Sequence, residues 1–400
     1  MATCRLFRGN VFLFCSLLLL ACLLWPIVVH IKDKRLSPVT KFSTKDSLSG
    51  QKSKLVNYRP VNFSEYIDSL RHDITQHQAL DPYSIPRNHK VNSYDYLFLI
   101  DGRNICQRES PFLLVVVPSV FDHQENRMAI RETWGSVVRT GMWADGTLLP
   151  LIKLIFLFGE RHDPSLFSTL KEENLQYGDI VLASFVDSYR NLTIKSMAAL
   201  YWTTQFCPDA KYLLKNDEDT IVNLPRLVEL LKDKVPNSII GHKGQVLSVT
   251  RDGYIEKWIV SKEEYPPDKY PPYILGNFYA IPKDLIPKLF HVSQYIPYLS
   301  MEDVFITGVV RVTIGAGLQG VDSCLDQCDF NITKVANTVG ILRIREAWEN
   351  FSYPYKDMND AREERSTRRT KLENMLDPGH NVDFDVRMTT SKMKEKKYTS

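Results

Sequence analysis

Hydrophobic and polar positions alternate in blocks along the middle of the chain. Mainly apolar runs of strand length occur at Phe112–Val117, Leu151–Phe158 and Asp179–Phe185. The run Phe112–Val117 is continuous, which is typical of a strand buried on both faces of a sheet, and the other two are further buried-strand candidates. Apolar residues at helical spacing lie between and after these runs, at Phe167–Tyr177 and Asn191–Phe206. This order predicts an α/β fold in which helices cover the sheet.

A further strand candidate, Lys211–Asn223, carries three acidic residues in the sequence KYLLKNDEDTIVN. Along an extended chain, Asp217 and Asp219 point to one side and Glu218 to the other. Two carboxylates on one side form a hard oxygen site, suited to Mn²⁺ or Mg²⁺ carrying a diphosphate. An acidic turn that caps the following helix, Leu224–Lys232, is the alternative, and this stretch alone favours it.

Two arginines lie on one predicted helix face. Arg127 and Arg131 are four residues apart within Arg127–Gly135, so their side chains share a face. Two guanidinium groups on one face suit a diphosphate or nucleotide. A solvated basic face explains the same spacing equally well.

A second acidic pair, Glu302-Asp303, opens the segment Met301–Gly308 ahead of an amphipathic helix. Acidic side chains in a first helical turn are favoured by the helix dipole, so capping alone accounts for them. A carboxylate placed there is also a candidate general base.

The N-terminus decides the compartment. Arg5 and Arg8 precede an uncharged run, Val11–Val29, whose length is close to the ~20 residues that a bilayer span needs. No small-residue cleavage site follows Trp25-Pro26, which favours an uncleaved signal anchor over a cleavable signal peptide. Lys32, Lys34 and Arg35 follow the run, so the positive-inside rule does not decide the orientation. The short N-terminus and long C-terminal region favour a lumenal C-terminus, and we predict a cytoplasmic tail at 1–10, an anchor at 11–31 and a lumenal remainder.

Composition agrees with a folded lumenal protein. The 400 residues are 44% hydrophobic, and a net charge of +3 is too small to indicate a nucleic-acid partner. Residues 32–104 are polar and irregular and predict a stem, with a short helix possible near Tyr66–Gln78. A folded domain at 105–354 and a charged, mobile tail at 355–400 complete the predicted organisation. Sequons for N-glycosylation begin at Asn62, Asn191, Asn331 and Asn350.

Six motifs follow one another along the chain. They are Arg127–Gly135, Asp187–Lys195, Cys207-Pro208, Lys215–Asn223, Tyr270–Tyr273 and Glu302–Phe305. In this order they resemble the β-1,3-galactosyltransferase and β-1,3-N-acetylglucosaminyltransferase family. The resemblance extends from about Phe112 to Gly320 and implies a GT-A, Rossmann-like domain of a Golgi enzyme. Such an enzyme takes sugar from a UDP-sugar, with Mn²⁺ or another divalent cation, and forms a β-1,3 linkage with inversion on an acceptor glycan.

The resemblance also implies roles for single residues. The last member of the acidic triplet, Asp219, matches the metal ligand, and the first, Asp217, matches a residue near the nucleotide sugar. Asp303 matches the general base. The remaining matched positions line or support the nucleotide site, and these are Arg127, Arg131, Asp187, Lys195 and the middle acidic residue Glu218.

The chain departs from the family pattern in three places. Glu218 replaces the usual middle Asp, and Ile274–Phe278 replaces a run of Cys, a small residue and Gly. Relatives often supply a late His to the metal, and no His lies between Val292 and Gly379. We expect the larger side chains to alter the loop near the acceptor. These departures support an alternative, a catalytically silent relative that binds glycan or assists another transferase.

The four cysteines after the anchor allow three pairings. We predict Cys106–Cys207 with Cys324–Cys328. The family resemblance implies galactose or an N-acetylhexosamine as the donor sugar, with galactose favoured, and the residues themselves do not distinguish these sugars.

Overall fold

The computed structural model describes residues 63–77, 81–161, 163–233, 235–244, 247–324, 334–340, 343–350 and 352. The predicted tail at 1–10, the anchor at 11–31 and the segment 355–400 lie outside the described residues. Among the residues that are described, no helix is both long enough and apolar enough to cross a membrane.

A mixed α/β sheet of eight strands organises the described chain, which confirms the predicted fold class. The strands lie in the order β1-β4-β3-β2-β5-β8-β7-β9. A two-stranded sheet pairs β10 with β6. The strands are β1 (Phe98–Ile100), β2 (Leu113–Pro118), β3 (Ile152–Glu160), β4 (Ile180–Val186), β5 (Tyr212–Asn216), β6 (Thr220–Val222), β7 (Ser238–Lys243), β8 (Ile274–Pro282), β9 (Gly317–Gly320) and β10 (Ala336–Thr338).

Helices connect these strands where the sequence predicts them. The helix expected at Leu224–Lys232 has those same bounds, and the one expected at Phe167–Tyr177 begins three residues earlier. The helices are α1 (Phe63–His77), α2 (Gln124–Glu132), α3 (Val137–Thr140), α4 (Pro164–Tyr177), α5 (Leu192–Phe206), α6 (Leu224–Lys232), α7 (Ile286–Ser293) and α8 (Arg311–Thr313), with a π-helix at Val304–Val310.

The continuous apolar runs are explained by burial on both faces of the sheet. In β2, Leu114 and Val116 belong to one core, while Leu113, Val115 and Val117 belong to the core on the other face. All five side chains are at most 1% exposed. A parallel strand covered on both sides has no solvent face and therefore no polar alternation.

The order of the parallel strands creates a crevice. From β2 the chain moves outward to β3 and β4, and β5 then returns to the other side of β2. Ligands bind at such a reversal, outside the carboxyl ends of the strands. The crevice therefore lies beyond the ends of β2 and β5, where Ser119 and Asp217 follow those strands.

Part of the segment predicted as a stem is packed into the folded domain. Ile67 in α1 is buried, and so are Tyr83 and Tyr94 in the irregular chain that follows. The strand β1 adds to the sheet edge by antiparallel pairing with β4. The sequence pattern missed this packing because the aromatic and aliphatic residues are widely spaced. They are buried without following a helix or strand period.

A disulfide joins Cys106 to Cys207, as predicted. It closes a loop of 101 residues that contains β2, β3, β4 and the helices between them. Cys324 is disulfide-bonded as well. Its expected partner, Cys328, lies outside the described residues, so that pairing stays a prediction.

Candidate active site

The acidic triplet forms a tight turn between β5 and β6. Asn216, at the end of β5, is fully buried. Its side-chain amide donates to the carbonyls of Asp217 and Thr220, both at 2.9 Å. The backbone N–H of Asp217 also donates to the carbonyl of Asn277 at 2.9 Å. The turn is thereby fixed by bonds to both neighbouring strands.

The predicted alternation of the triplet is present in the structure. Asp217 and Asp219 are partly exposed, whereas Glu218 is 8% exposed. Glu218 Oε2 lies 2.5 Å from His123 Nδ1, behind the crevice. Burial raises the pKa of Glu218, and hydrogen bonds from Ser119 and His123 oppose that rise. Glu218 therefore supports the turn and leaves the crevice to its two neighbours.

A buried lysine lies at the centre of the site. Lys215 Nζ is 2.5 Å from Asp217 Oδ1 and 3.8 Å from Glu302 Oε2, and it donates to the carbonyl of Gly276. Burial disfavours its charge, yet Asp217 and Glu302 together hold its pKa above the usual range. Lys215 is thus a permanent cation that brings two acidic segments together.

The pKa of Asp217 is set by opposing electrostatic effects. Loss of hydration raises its pKa to about 6, and repulsion from Asp219 and Glu302 adds to this, while Lys215 opposes it. Its side chain is 41% exposed, so it faces the crevice. A carboxylate in this position is available to a ligand hydroxyl or to a cation.

Asp303 lies directly across from Gly276, at the start of the π-helix. Its Oδ1 accepts from the backbone N–H of Val304 at 2.8 Å. Burial, with repulsion from Glu302, raises the pKa of Asp303 to about 7, and the N–H groups of Val304 and Gly276 lower it in part. Asp303 is therefore a partly exposed carboxyl that exchanges its proton near neutral pH.

Glu302 has a different role from its neighbour. It is buried and accepts a short hydrogen bond from the hydroxyl of Tyr279. With Lys215 on its other oxygen, Glu302 is fully engaged by protein groups. Its charge instead acts on Asp303, whose pKa it raises.

The π-helix is joined to β8 by reciprocal bonds. Thr307 Oγ1 accepts from the N–H of Ile274 at 2.8 Å and lies 3.0 Å from its carbonyl. Arg311, also buried, donates to the carbonyls of Pro272, Thr307 and Ala316 at 2.8–2.9 Å. These bonds fix the position of the helix that presents the acidic pair. Wide helical turns of this kind recur at functional sites.

The segment Ile274–Phe278 forms the start of β8, so it is a strand and the expected loop is wrong. Ile274 and Phe278 are fully buried. A Cβ built on Gly276 would lie 3.4 Å from Asp303 Oδ2, which leaves the carboxylate close to backbone. Ile274 and Phe278 are therefore packed into the two cores, and Gly276 lies against the acid.

Asp219 lies beside a set of polar oxygens from three segments. Thr220 Oγ1 is 3.1 Å from its Oδ1 and 3.0 Å from Thr338 Oγ1 in β10. Thr338 in turn accepts from Asn277 Nδ2 at 3.2 Å. Asp219 and Asp217 lie in the same turn between β5 and β6, and the charge of Asp219 raises the pKa of Asp217.

This donor set fits a divalent cation of the oxygen-preferring kind. Within the described parts of the chain, no group of three or more His, Cys, Asp or Glu side chains is close enough to hold a metal by itself. Mg²⁺ and similar ions are commonly bound through one or two carboxylates together with substrate phosphates. Asp219 and Asp217 match that arrangement.

Arg127 and Arg131 do not reach the crevice. Arg127 is 1% exposed and makes a two-fold pair with Glu173 at 2.7 and 2.8 Å. Arg131 makes the same kind of pair with Asp179 at 2.7 and 2.8 Å. Arg127 also donates to Ser119 Oγ at 3.2 Å and to the carbonyl of Val120 at 2.8 Å, just after β2. That the two arginines line or support a nucleotide site stays a prediction. They share a helix face as predicted, but the face packs on α4 and on the start of β4.

Asp187 and Lys195 are placed together beneath the crevice. Lys195 Nζ is 2.8 Å from Asp187 Oδ2 and 2.7 Å from the carbonyl of Ser119. Both side chains are buried, and burial lowers the pKa of Lys195. The pair supports the chain after β2 and does not line the open cleft.

Sequence reasoning missed Lys215, Tyr279 and Gly276. The signal for Lys215 was present, because it lies two residues before Asp217 and a strand places such residues on one side. Tyr279 and Gly276 carried no local signal, since their roles arise from the pairing of β8 with β5.

Only two of the four sequons fall in the described residues. Asn350 is exposed, whereas the amide of Asn191 donates to the carbonyl of Val186 at 2.7 Å. Thr193 of the same sequon is fully buried. Of these two sites, Asn350 is the accessible one.

Comparison with known proteins shows that this chain is similar to galactosyltransferases and a related N-acetylgalactosaminyltransferase. A model of the family described as galactosyltransferase matches residues 125–320. Beta-1,3-galactosyltransferase 5 of Pan paniscus is 36% identical over 203 residues, which are 50% of this chain and 65% of that protein. UDP-GalNAc:beta-1,3-N-acetylgalactosaminyltransferase 1 of Homo sapiens is 34% identical over 217 residues, covering 53% and 63% of the two chains.

The chain thus spans about 65% of the length of these relatives. Among solved structures, a galactosyltransferase crystallised with donor and acceptor sugar analogues covers 59% of this chain. The match also covers 95% of that protein, at 13% identity and a TM-score of 0.32. That likeness is too low to carry an argument.

We predict that Asp303→Asn changes the pH dependence of stability. The folded pKa of about 7 lies above the usual value, so wild type loses stability as pH rises from about 4 through 7. The variant does not lose stability in this way, because asparagine does not titrate. Its stability relative to wild type should rise by at most about 4 kcal/mol between pH 4 and pH 8, since each pKa unit is worth about 1.4 kcal/mol.

Urea unfolding at several pH values would measure this difference. Asp163→Asn is the matched control, because hydrogen bonds from Ser165 lower the pKa of that exposed carboxyl. The free energy of unfolding of wild type relative to Asp163→Asn should fall as pH falls, whereas relative to Asp303→Asn it falls as pH rises. A pH-independent difference for Asp303→Asn would contradict the raised pKa.

Proposed function

We propose that this chain is a UDP-sugar-dependent β-1,3-glycosyltransferase of the galactosyltransferase family, because the model of that family matches residues 125–320. It transfers galactose or an N-acetylhexosamine, with inversion, to the 3-hydroxyl of an acceptor glycan on a glycoprotein or glycolipid. A single in-line displacement gives inversion, so the site needs a base and charge stabilisation but no covalent nucleophile.

The observation that carries this proposal is Asp303 with its neighbours. A base works best when its pKa is close to the operating pH, and Asp303 has a pKa of about 7. Its carboxylate accepts the proton of the attacking hydroxyl and later releases it to water. The bond from Val304 orients the carboxylate, and Lys215 holds Glu302 and Asp217 around it.

Asp219, with Asp217 beside it, would hold Mn²⁺ or a similar cation in this proposal. When bound, such an ion neutralises the diphosphate leaving group as a Lewis acid. The protein's own contribution is the fixed turn between β5 and β6. The bonds of Asn216 hold that turn before any ligand arrives.

The wider organisation is also part of the proposal. The crevice at the reversal of strand order between β2 and β5 supports a GT-A, Rossmann-like domain. The apolar run Val11–Val29 and the exposed sequon at Asn350 support a single-pass type II protein of the Golgi membrane. The disulfide between Cys106 and Cys207 is compatible with an oxidising lumen.

Topology can be tested in intact microsomes. We expect protease to leave the region after residue 31 undigested, and endoglycosidase to increase the mobility of the chain on gels. The region should become sensitive to protease once detergent is added. Digestion without detergent would place the domain on the cytoplasmic side and refute this orientation.

We predict that Asp219→Asn weakens the Mn²⁺-dependent binding of UDP-sugar by at least about tenfold, since even second-shell changes cost 10–100-fold at metal sites. The fold should survive because the side chain is partly exposed. Calorimetric titration with and without Mn²⁺ measures the effect. Asp209→Asn is the control, because that exposed carboxylate pairs with Lys283 at the amino end of β5. Unchanged binding by Asp219→Asn would exclude it as the ligand.

Asp303→Asn should lower the rate of transfer by about 10²–10⁴-fold, the usual range for a positioned base, while UDP-sugar binding is retained.

Glu302→Gln should act differently. Removing its charge lowers the pKa of Asp303, so the acid limb of the pH–rate profile should move below pH 7.

Initial rates from pH 5 to pH 9 for wild type and both variants separate the two roles. Near-normal turnover by Asp303→Asn would show that another group is the base. Donor binding by wild type without transfer to any acceptor, and without hydrolysis of the UDP-sugar, would instead support the catalytically silent alternative.

A further inference from the structure

An exposed aromatic surface borders the candidate base and has no part in the donor chemistry above. It consists of Tyr189, which follows β4, and of Lys257 and Trp258 in the 3₁₀ turn Glu256–Trp258. We call these three residues the aromatic platform. Tyr189 and Trp258 are each 44% exposed, and Lys257 Nζ lies 5.3 Å and 5.6 Å from their ring centroids. Large aromatic side chains grouped at the surface are typical of binding sites.

One arginine fixes the platform in place. Arg190 donates to the carbonyls of Glu256 and Ile259, both at 3.1 Å. It also reaches Ser300 Oγ at 3.4 Å, and the hydroxyl of Tyr298 donates to the Arg190 carbonyl at 2.7 Å. These bonds hold the turn against the segment that leads to the candidate base. Because this surface is already ordered, binding a ligand does not cost the conformational entropy of ordering it.

The platform is connected through Arg190 and Ser300 to the segment that carries Asp303. Ser300 lies three residues before Asp303, so their Cα atoms are at most about 11 Å apart. Burial raises the pKa of Tyr189, and both Asp303 and Asp217 raise it further, while a hydrogen bond from Trp258 opposes them. The phenol therefore lies within electrostatic range of both candidate carboxylates.

We propose that the aromatic platform is an acceptor subsite, which binds the sugar unit next to the one that receives the new linkage. The proposal rests on the proposed function. A sugar ring has an apolar face of C–H groups that packs on an aromatic ring, and its hydroxyls remain free at the edge to hydrogen-bond. Lys257 supplies three N–H donors for such hydroxyls or for an amide carbonyl. The acceptor is therefore an oligosaccharide of at least two sugars.

The test uses the full chain in detergent with UDP-galactose, UDP-N-acetylglucosamine and UDP-N-acetylgalactosamine in turn. An array of defined glycans, from one to four sugars, serves as acceptors. We expect wild type to prefer an oligosaccharide over its terminal monosaccharide. Trp258→Ala should raise the acceptor KM at least tenfold and leave kcat and the donor KM within about twofold. Trp258→Phe should restore part of the affinity because it keeps a ring.

Phe167→Ala is the matched control, because that aromatic residue is similarly exposed on α4. It should leave the acceptor KM unchanged. The platform proposal fails if Trp258→Ala binds the acceptor as wild type does, or if wild type uses the monosaccharide equally well. Failure of wild type to bind or use any of the three donors would refute the proposed function itself. Thermal unfolding of each variant confirms that the fold is intact.

Discussion

The arrangement of the candidate site depends on one buried cation. Lys215 contacts Asp217 from its own strand and Glu302 from the π-helix segment, and it donates to the backbone of β8. Carboxylates so close together would repel one another and take up protons without it. Removing one partner of such a buried group usually costs several kcal/mol, because the remaining charges are left uncompensated. Lys215 thus joins the segment that carries the candidate metal ligands to the segment that carries the candidate base.

A second constraint is the use of arginine for packing. Arg127 and Arg131 lie beneath the crevice, stacked on Phe158 and Phe156 with centroid distances of 5.0 and 4.8 Å. Their pairing with Glu173 and Asp179 connects α2 to the helix and strand behind it. Buried pairs of this kind help to specify one arrangement of helices on the sheet. In the described chain these guanidinium groups act as core residues.

Much of the architecture was predictable, and the reasons are physical. Parallel strands covered on both faces give apolar runs such as Phe112–Val117, and acidic residues after β5 fall at the ligand-binding edge. Three things were not predictable. The ion-pair partners of the arginines lie about 45 residues away in the sequence, the role of Gly276 arises only from strand pairing, and the aromatic residues near Tyr83 follow no period.

The π-helix has a consequence for how this chain can change. In an α-helix each residue advances the chain by about 100°, and a π turn accommodates an extra residue. Deleting one residue within Val304–Val310 would let the segment relax to an ordinary helix and rotate Asp303 away from Gly276. Thr307 would lose its alignment with β8, and Arg311 its bond to the carbonyl of Pro272, at the same time. All seven residues of Val304–Val310 are also buried, so packing constrains both the length of the segment and its side chains.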